Sequence, residues 1–204
     1  MFKGKYILAL TLALCVMSSK AQTSLGTDAD DRLEGLNTIT TSVPFLIISP
    51  DAKAGGMGDV GVAGSADAMS MHWNPAKYAF AEDDFGLAIC YTPWLGALVP
   101  DIDLSYLAGY TKISNRESFG YSLRYFSLGD IQFRDSQGND VGTFNPNEWA
   151  LSTAYSIKLV DNFSTAISLR YIYSNLTGGQ YVNTLQTKAG QSIAGDVSAY
   201  YIQE

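Results

Sequence analysis

The sequence predicts an all-β fold, namely the N-terminal portion of an antiparallel transmembrane β-barrel with a glycine-rich, partly helical segment in front of it. Segments of about ten residues alternate strictly between bulky apolar side chains and small Gly, Ala or Ser side chains. The connections between these segments alternate between long and short, as in an up-and-down barrel. The 13 tyrosines and 9 phenylalanines stand beside 19 glycines, a composition that suits a sheet with one apolar face and one face of small residues.

The N-terminus has the pattern of a secretory signal peptide. Two lysines precede the apolar run 6–16, and Ser19 and Ala21 place small residues where cleavage before Gln22 requires them. A membrane-anchoring helix is the alternative, but the apolar run is short of the roughly 20 residues that span a bilayer. We therefore expect a cleaved signal peptide at 1–21, followed by an N-terminal arm at 22–50.

The alternation itself predicts the strands. Because successive side chains of a strand point to opposite faces, each segment has one bulky face and one face of small residues. A soluble β-sandwich also alternates, but it has no reason to alternate the lengths of its connections. The strands are expected at Phe85–Thr92, Asp103–Tyr110, Phe119–Tyr125, Trp149–Ile157 and Phe163–Ser174, with connections at 94–102, 112–117, 129–147, 158–162 and 175–196.

A sixth strand is expected at Val197–Gln203, where the sequence ends. A membrane barrel needs at least about eight strands, because an open edge leaves backbone groups unpaired in lipid. We therefore interpret residues 85–204 as the first six or so strands of a barrel truncated at its C-terminus.

Charge and cysteine content exclude two classes of protein. The formal net charge is −7, which argues against nucleic acid as a partner. The cysteines are Cys15, inside the predicted signal peptide, and Cys90, so the mature chain has no pair for an intramolecular disulfide.

The segment 51–84 is rich in glycine, and we call it the glycine-rich segment. We expect a compact segment whose glycines permit tight folding against barrel walls. Its run 56–61 also matches the dinucleotide-binding pattern G-x-G-x-x-G, but a strand directly before it and a βαβ unit around it are missing. The candidate structural residues are Gly55, Gly56, Gly58, Asp59, Gly61, Asn74 and Pro75.

Other candidate sites are few. His72 is the single histidine and has no ligands at metal spacing, and no serine or cysteine stands in a catalytic pattern. We expect no catalytic residue, no metal and no cofactor. Arg124 and Arg170 fall on the small-residue faces of two strands, so we predict that they face the lumen and form salt bridges, with Asp59 or Asp67 as candidate partners.

Residues 38–80 resemble the N-terminal region of the PorV family, outer-membrane proteins of the type IX secretion system of Bacteroidetes. The resemblance rests on ISPDAKAGGMGDVGVA at 48–63 and HWNPAKYAF at 72–80, and the stretch 91–110 is similar as well. More loosely, the motif Asn74-Pro75-Ala76 resembles the glycine-rich hatch of FadL-type fatty-acid transporters. The resemblance implies a FadL-like barrel in the bacterial outer membrane, with the hatch in its lumen.

The same resemblance implies a non-enzymatic function. Proteins of this family bind the C-terminal signal domains of secreted cargo and carry them from the outer-membrane translocon to the cell-surface sortase. The external loops at 94–102, 129–147 and 175–196 would recognise the cargo, while the barrel wall contacts the lipid bilayer. The alternative is a FadL-like transporter of hydrophobic small molecules, which would need an apolar tunnel beside the hatch.

Overall fold

The computed structural model describes residues 43–94, 101–134, 138, 140–178, 181–182, 185–186 and 188–203. The predicted signal peptide and most of the predicted arm lie outside these residues. The helical elements are a 3-10 helix at Pro44–Leu46, α1 at Ala52–Gly56, α2 at Ser70–Trp73 and a second 3-10 helix at Pro75–Phe80. No helix in the described part of the chain is both long enough and apolar enough to cross a membrane.

Ten strands follow the helical elements within the described residues. Six of them form one antiparallel sheet in the order β1-β2-β3-β6-β7-β10, and two separate hairpins pair β4 with β5 and β8 with β9. The strands are β1 Phe85–Pro93, β2 Asp103–Lys112, β3 Glu117–Ser127, β4 Ile131–Arg134, β5 Asp140–Phe144, β6 Asn147–Val160, β7 Phe163–Asn175, β8 Tyr181–Val182, β9 Leu185–Gln186 and β10 Gly190–Tyr201. The predicted all-β, antiparallel class is confirmed.

The six-stranded sheet is open within the described residues. Its outer strands, β1 and β10, each pair with a neighbour on one side only, so the described residues form no closed barrel. The backbone groups on the outer sides of these two strands are therefore not satisfied by the ladder.

The two faces of the sheet differ as the alternation predicts. We call the face beneath the glycine-rich segment the covered face; on β3, β6 and β7 it carries mainly small side chains, among them Gly120, Ala154 and Ala166. The opposite, open face carries bulky apolar side chains that are exposed. Examples are Ile89 at 76% and Val197 at 77% exposure.

Strand β2 reverses this rule. Its bulky side chains Leu104, Tyr106 and Tyr110 are buried on the covered face, contrary to the general expectation that bulk faces away from the hatch. The reason lies in the neighbouring strand, because β1 places Gly86 beside Tyr110 and leaves room for the ring. Tyr110 in turn stacks on Tyr78, with 4.9 Å between ring centroids.

Two further predictions about the strands were wrong. The last strand begins at Gly190, seven residues before the predicted Val197, so the preceding connection is shorter than expected. The hairpins β4–β5 and β8–β9 lie inside segments that were predicted to be loops. Both errors arise where polar and glycine residues interrupt the alternation of bulky side chains.

Apolar packing joins the helical part to the covered face in two clusters. One cluster surrounds Tyr78, and the other surrounds Phe45, which stacks on Phe126 at 6.4 Å between centroids. The fully buried Tyr78 and Phe45 side chains each remove an aromatic ring from water, which stabilises the folded state by about 2 kcal/mol per ring. These clusters hold residues 43–81 against the sheet.

Candidate functional site

The chain before the glycine-rich segment is held by one arginine of β3. The Nη1 atom of Arg124 donates to the backbone oxygens of Phe45 at 2.9 Å, Leu46 at 2.8 Å and Ile48 at 3.1 Å. Carbonyl groups at the end of a single helical turn have no partners within the turn. The guanidinium supplies these partners, and it is itself buried at 4% exposure.

Arg124 also fixes the protonation state of His72. Its Nη2 atom lies 2.8 Å from Nδ1 of the histidine, and because a guanidinium can only donate, Nδ1 must accept. The proton of the neutral ring then sits on Nε2. Burial, together with the charges of Arg124 and Arg170, lowers the pKa of His72 from 6.5 to about 4. The guanidinium also lies over the ring of Tyr106, 5.1 Å from its centroid.

The predicted salt bridge of Arg124 with Asp59 or Asp67 was wrong. Among the described residues no carboxylate lies within ion-pair distance of Arg124, and its partners are backbone carbonyls. Asp67 instead pairs with Lys53 at 3.5 Å and accepts a hydrogen bond from Ser70. A charged group with several carbonyl acceptors can be buried without a counter-ion nearby, because hydrogen bonds to charged groups are strong.

Arg170 lies on the same covered face, on β7. Its Nε atom donates to Oγ of Ser152 at 3.1 Å, and its Nη2 atom lies 3.8 Å from Oδ2 of Asp196. The partner is thus an acid of the neighbouring strand β10, not of the glycine-rich segment. The Asp196 side chain is 57% exposed, so this ion pair is weak.

A small cavity lies between the two arginines. Its volume is about 20 Å³, and nine residues line it. They are Leu46, Met71, His72, Tyr106, Ser122, Arg124, Ala150, Ser152 and Arg170.

Among the candidate glycines of the glycine-rich segment, Gly61 is the one whose lack of a side chain is required by packing. A Cβ atom there would lie 2.3 Å from the indole of Trp73, whose Nε1 donates to Oδ2 of Asp51 at 3.1 Å. The carbonyl of Gly61 accepts from the buried Nζ of Lys77 at 2.7 Å. Burial lowers the pKa of the Lys77 amine, whereas Asp67 and Asp51 raise it. Gly61 therefore joins a network that fixes the shape of the segment.

The other candidate glycines lie at the end of α1. Gly55 and Gly56 form its last residues, and Gly58 and Asp59 follow with positive φ angles of 79° and 61°. A dinucleotide site needs glycines that begin a helix after a strand, but here they end a helix that Asp51 caps. Within the described ranges, no group of three or more His, Cys, Asp or Glu side chains could hold a metal ion.

Asn74 and Pro75 begin the 3-10 helix Pro75–Phe80. The Oδ1 atom of Asn74 accepts from the backbone N–H of Ala76 at 3.1 Å, which is the pattern of an N-cap. Its Nδ2 atom donates to the carbonyl of Ala199 on β10 at 3.0 Å. The Asn-Pro pair therefore starts the helix and also ties it to an outer strand of the sheet.

Serines of the sheet donate hydrogen bonds to the 3-10 helix Pro75–Phe80. The sequence did not mark these serines as candidates. Ser156 and Ser164 both donate to the carbonyl of Ala76, at 3.2 and 2.7 Å, and Ser118 donates to the carbonyl of Tyr78 at 3.0 Å. The signal that could have found them is the repeated serine on the small-residue face of three strands. Such hydroxyls satisfy the carbonyls of the helix laid across them.

The ends of the sheet differ in their connections. The strands that bound 94–102, 128–146 and 176–189 place all three segments at one end, which we call the long-loop end. The opposite end has the short turns 113–116 and 161–162. The long and short connections alternate as predicted, and β4–β5 gives the second long connection a strand pair of its own.

One comparison with known proteins identifies a family. The family model for PorV, described as type IX secretion system protein PorV, matches residues 31–204. No individual curated protein matches the chain. The match covers the glycine-rich segment, all ten strands and the contacts between them, so the chain belongs to the PorV family of type IX secretion system proteins.

Proposed function

We propose that this protein is a non-enzymatic component of type IX secretion in the bacterial outer membrane. It is exported through a cleaved signal peptide, binds the C-terminal signal domains of secreted cargo, and carries them from the translocon to the sortase at the cell surface. The family match supports the assignment to the secretion system. The geometry of the sheet supports the membrane position and the place where cargo binds.

The open face of the sheet supports contact with lipid. Bulky apolar side chains project from it on neighbouring strands, and a continuous patch of this kind is costly in water. In a bilayer the same side chains are solvated by acyl chains. They include Leu87, Ile89, Leu123, Leu151, Ile167, Leu169, Ile193 and Val197, each more than 40% exposed.

The long-loop end is the observation that carries the proposed cargo site. All three long connections stand there, and β4 and β5 form a hairpin that pairs with no other strand of the described chain. The outer edges of a two-stranded hairpin expose backbone donors and acceptors. A β-rich domain can add a strand to such an edge, and the backbone hydrogen bonds then supply affinity.

Binding of purified components tests this site. The full-length protein in detergent would be titrated with a fluorescent C-terminal signal domain of a secreted cargo protein. Replacing residues 131–144 by a short Gly-Ser linker should weaken binding at least about tenfold, or about 1.4 kcal/mol. The matched control exchanges Asn115 and Arg116, exposed in a short turn at the other end, for alanine. Equal affinity of the hairpin-less variant and the intact protein would overturn the proposed site.

Deletion of the gene tests the function in cells. Cargo that bears the signal domain should then remain in the periplasm or stay unattached to the surface. Surface display at the normal level would contradict the proposed shuttle.

The alternative function, transport of hydrophobic small molecules, would require an apolar tunnel beside the glycine-rich segment. Beside that segment the described residues line a space of about 710 Å³, and its wall includes the acids Asp67, Glu82 and Asp83. A wall that carries several carboxylates is not the apolar lining that an acyl chain requires. No contact among the described residues specifically favours this alternative.

A further inference from the structure

The hairpin β4–β5 depends on contacts at its base. It pairs with no other strand of the described chain, and an isolated two-stranded hairpin is only marginally stable in water. Where the hairpin leaves the sheet, the backbone N–H of Leu128 donates to the carbonyl of Pro146 at 3.0 Å. The orientation of the hairpin relative to the six-stranded sheet is therefore set by the residues around this base.

Asp101, in the first long connection, contacts the base of the hairpin. Its Oδ2 atom accepts a hydrogen bond from the backbone N–H of Asp130 at 3.1 Å. A Cβ atom at Gly129 would lie 2.3 Å from the same oxygen, so the carboxylate packs directly against the backbone of this glycine. The φ angle of Gly129 is 77°, in the left-handed region that glycine adopts without strain. The glycine therefore permits both the turn into β4 and the close approach of the Asp101 carboxylate.

Hydrogen bonds connect this contact to the sheet on one side and to the end of the hairpin on the other. The residue after Asp101, Ile102, accepts from the backbone N–H of Trp94 at 2.8 Å, where β1 and β2 meet. The Oδ1 atom of Asp130 accepts from Nδ2 of Asn145, which directly follows β5, at 3.2 Å. A chain of contacts thus runs from the end of the β1–β2 pair to both ends of the hairpin.

The second strand of the hairpin contacts the third long connection. A Cβ atom at Gly178 would lie 2.6 Å from the ring of Phe144, the last residue of β5. Packing of a ring on a glycine tolerates rotation, whereas the hydrogen bond to the Asp101 carboxylate is directional and charge-assisted. Of these two contacts, the one with Asp101 therefore restricts the orientation of the hairpin more strictly.

We infer that Asp101 is a positioning residue of the cargo site. It holds the hairpin in one orientation before cargo arrives, so that an edge of β4–β5 is ready to pair with a strand of the signal domain. Asp101 acts through the backbone of Gly129 and Asp130 and not by contact with the cargo. Pre-organisation of this kind increases affinity, because less conformational entropy is lost on binding. The inference rests on the proposed function, since it assigns a role within the proposed cargo site.

Two substitutions at this position separate the role of position from the role of charge. Asp101→Ala removes the acceptor of the Asp130 amide and should weaken binding of a fluorescent C-terminal signal domain to the full-length protein in detergent about tenfold. Asp101→Asn keeps an acceptor oxygen on a side chain of the same shape but removes the charge, so its affinity should stay within about threefold of that of the unsubstituted protein. The matched control is Asp161→Ala, which changes an exposed aspartate in a short turn at the opposite end and should leave the affinity unchanged.

Hydrogen exchange in the absence of cargo measures the contact itself. In Asp101→Ala the amide of Asp130, together with the amides of β4 and β5, should exchange at least about tenfold faster than in the unsubstituted protein. The amides between β6 and β7 should keep their protection. Unchanged exchange of the hairpin amides would overturn the inference, because Asp101 would then not hold the hairpin.

The binding results distinguish failure of this inference from failure of the proposed function. Full affinity of Asp101→Ala, combined with weak binding of the variant that lacks residues 131–144, would overturn the positioning role and leave the cargo site in place. Equal losses in Asp101→Asn and Asp101→Ala would also overturn it, because the charge of the carboxylate and not its position would then matter. Equal affinity of the hairpin-less variant and the intact protein would refute the cargo site and the positioning role together.

Discussion

Replacing Arg124 by leucine should release the chain that precedes the glycine-rich segment. The substitution removes the donor to three backbone carbonyls, those of Phe45, Leu46 and Ile48, and to the ring of His72. A hydrogen bond to a charged group contributes about 1.5–3 kcal/mol, and such contributions are not additive. Because the arginine is 4% exposed, water cannot fully hydrate the three carbonyl groups that lose their donor. Loss of the buried charge itself offsets part of this cost, so we expect a net loss of about 3 kcal/mol.

Hydrogen exchange locates this loss. The amides of Leu46 and Ile47 donate within the 3-10 helix, to the carbonyls of Val43 and Pro44, and they report directly on its opening. A loss of about 3 kcal/mol corresponds to roughly 100-fold faster exchange of these amides. The amides between β6 and β7 should keep their protection.

The matched control for this experiment is Arg116→Leu, which changes an exposed arginine of the β2–β3 turn. It should leave the exchange of Leu46 and Ile47 unchanged. Unaltered exchange of these two amides in Arg124→Leu would refute the reasoning. So would an equal acceleration across the whole sheet, because the contact would then stabilise the sheet and not the segment specifically.

Two further substitutions concern the glycine-rich segment. Gly61→Ala places a methyl group 2.3 Å from the indole of Trp73 and should lower the free energy of unfolding by about 1–3 kcal/mol. The control is Gly56→Ala, because a Cβ atom there has no neighbouring atom within 4 Å. Equal stability of the two variants in urea would contradict the packing argument. The pKa of His72 is about 4 in the fold, against an ordinary value of 6.5, so the unfolded chain binds more protons between these pH values. Lowering the pH from 7 to 4 should therefore cost about 3 kcal/mol of stability. His72→Gln should remove that part of the pH dependence, and an unchanged slope would count against the assigned neutral ring.

The alternation of the sequence predicted which residues share one face of a strand, but it did not predict which face lies beneath the glycine-rich segment. A period of two places Tyr106 and Tyr110 on one face of β2, but it does not say which face is covered. That choice depends on space in other elements. Tyr110 lies against Gly86 of β1, and Tyr78 fills the space that a side chain at Gly120 would occupy. Glycines far apart in the sequence thus decide which face of β2 is covered.

The sequence made Arg124 a candidate because a charge on a face of small residues is unusual, but it did not predict the hydrogen-bond partners of this arginine. Its acceptors are backbone carbonyls nearly 80 residues away, and carbonyls leave no mark in a sequence because every residue has one. The same holds for Asn74, whose cap to Ala76 follows from the local Asn-Pro pair, while its bond to Ala199 does not.

The central claim, that cargo binds at the long-loop end, is tested most directly by photo-crosslinking in cells. A photoreactive amino acid would replace Gln132, exposed on β4, or Asn115, exposed in the short turn at the opposite end. The proposed function predicts crosslinks to C-terminal signal domains of cargo from position 132 and none from position 115. Crosslinks to these domains from position 115, or none from position 132 in cells that secrete cargo normally, would contradict it.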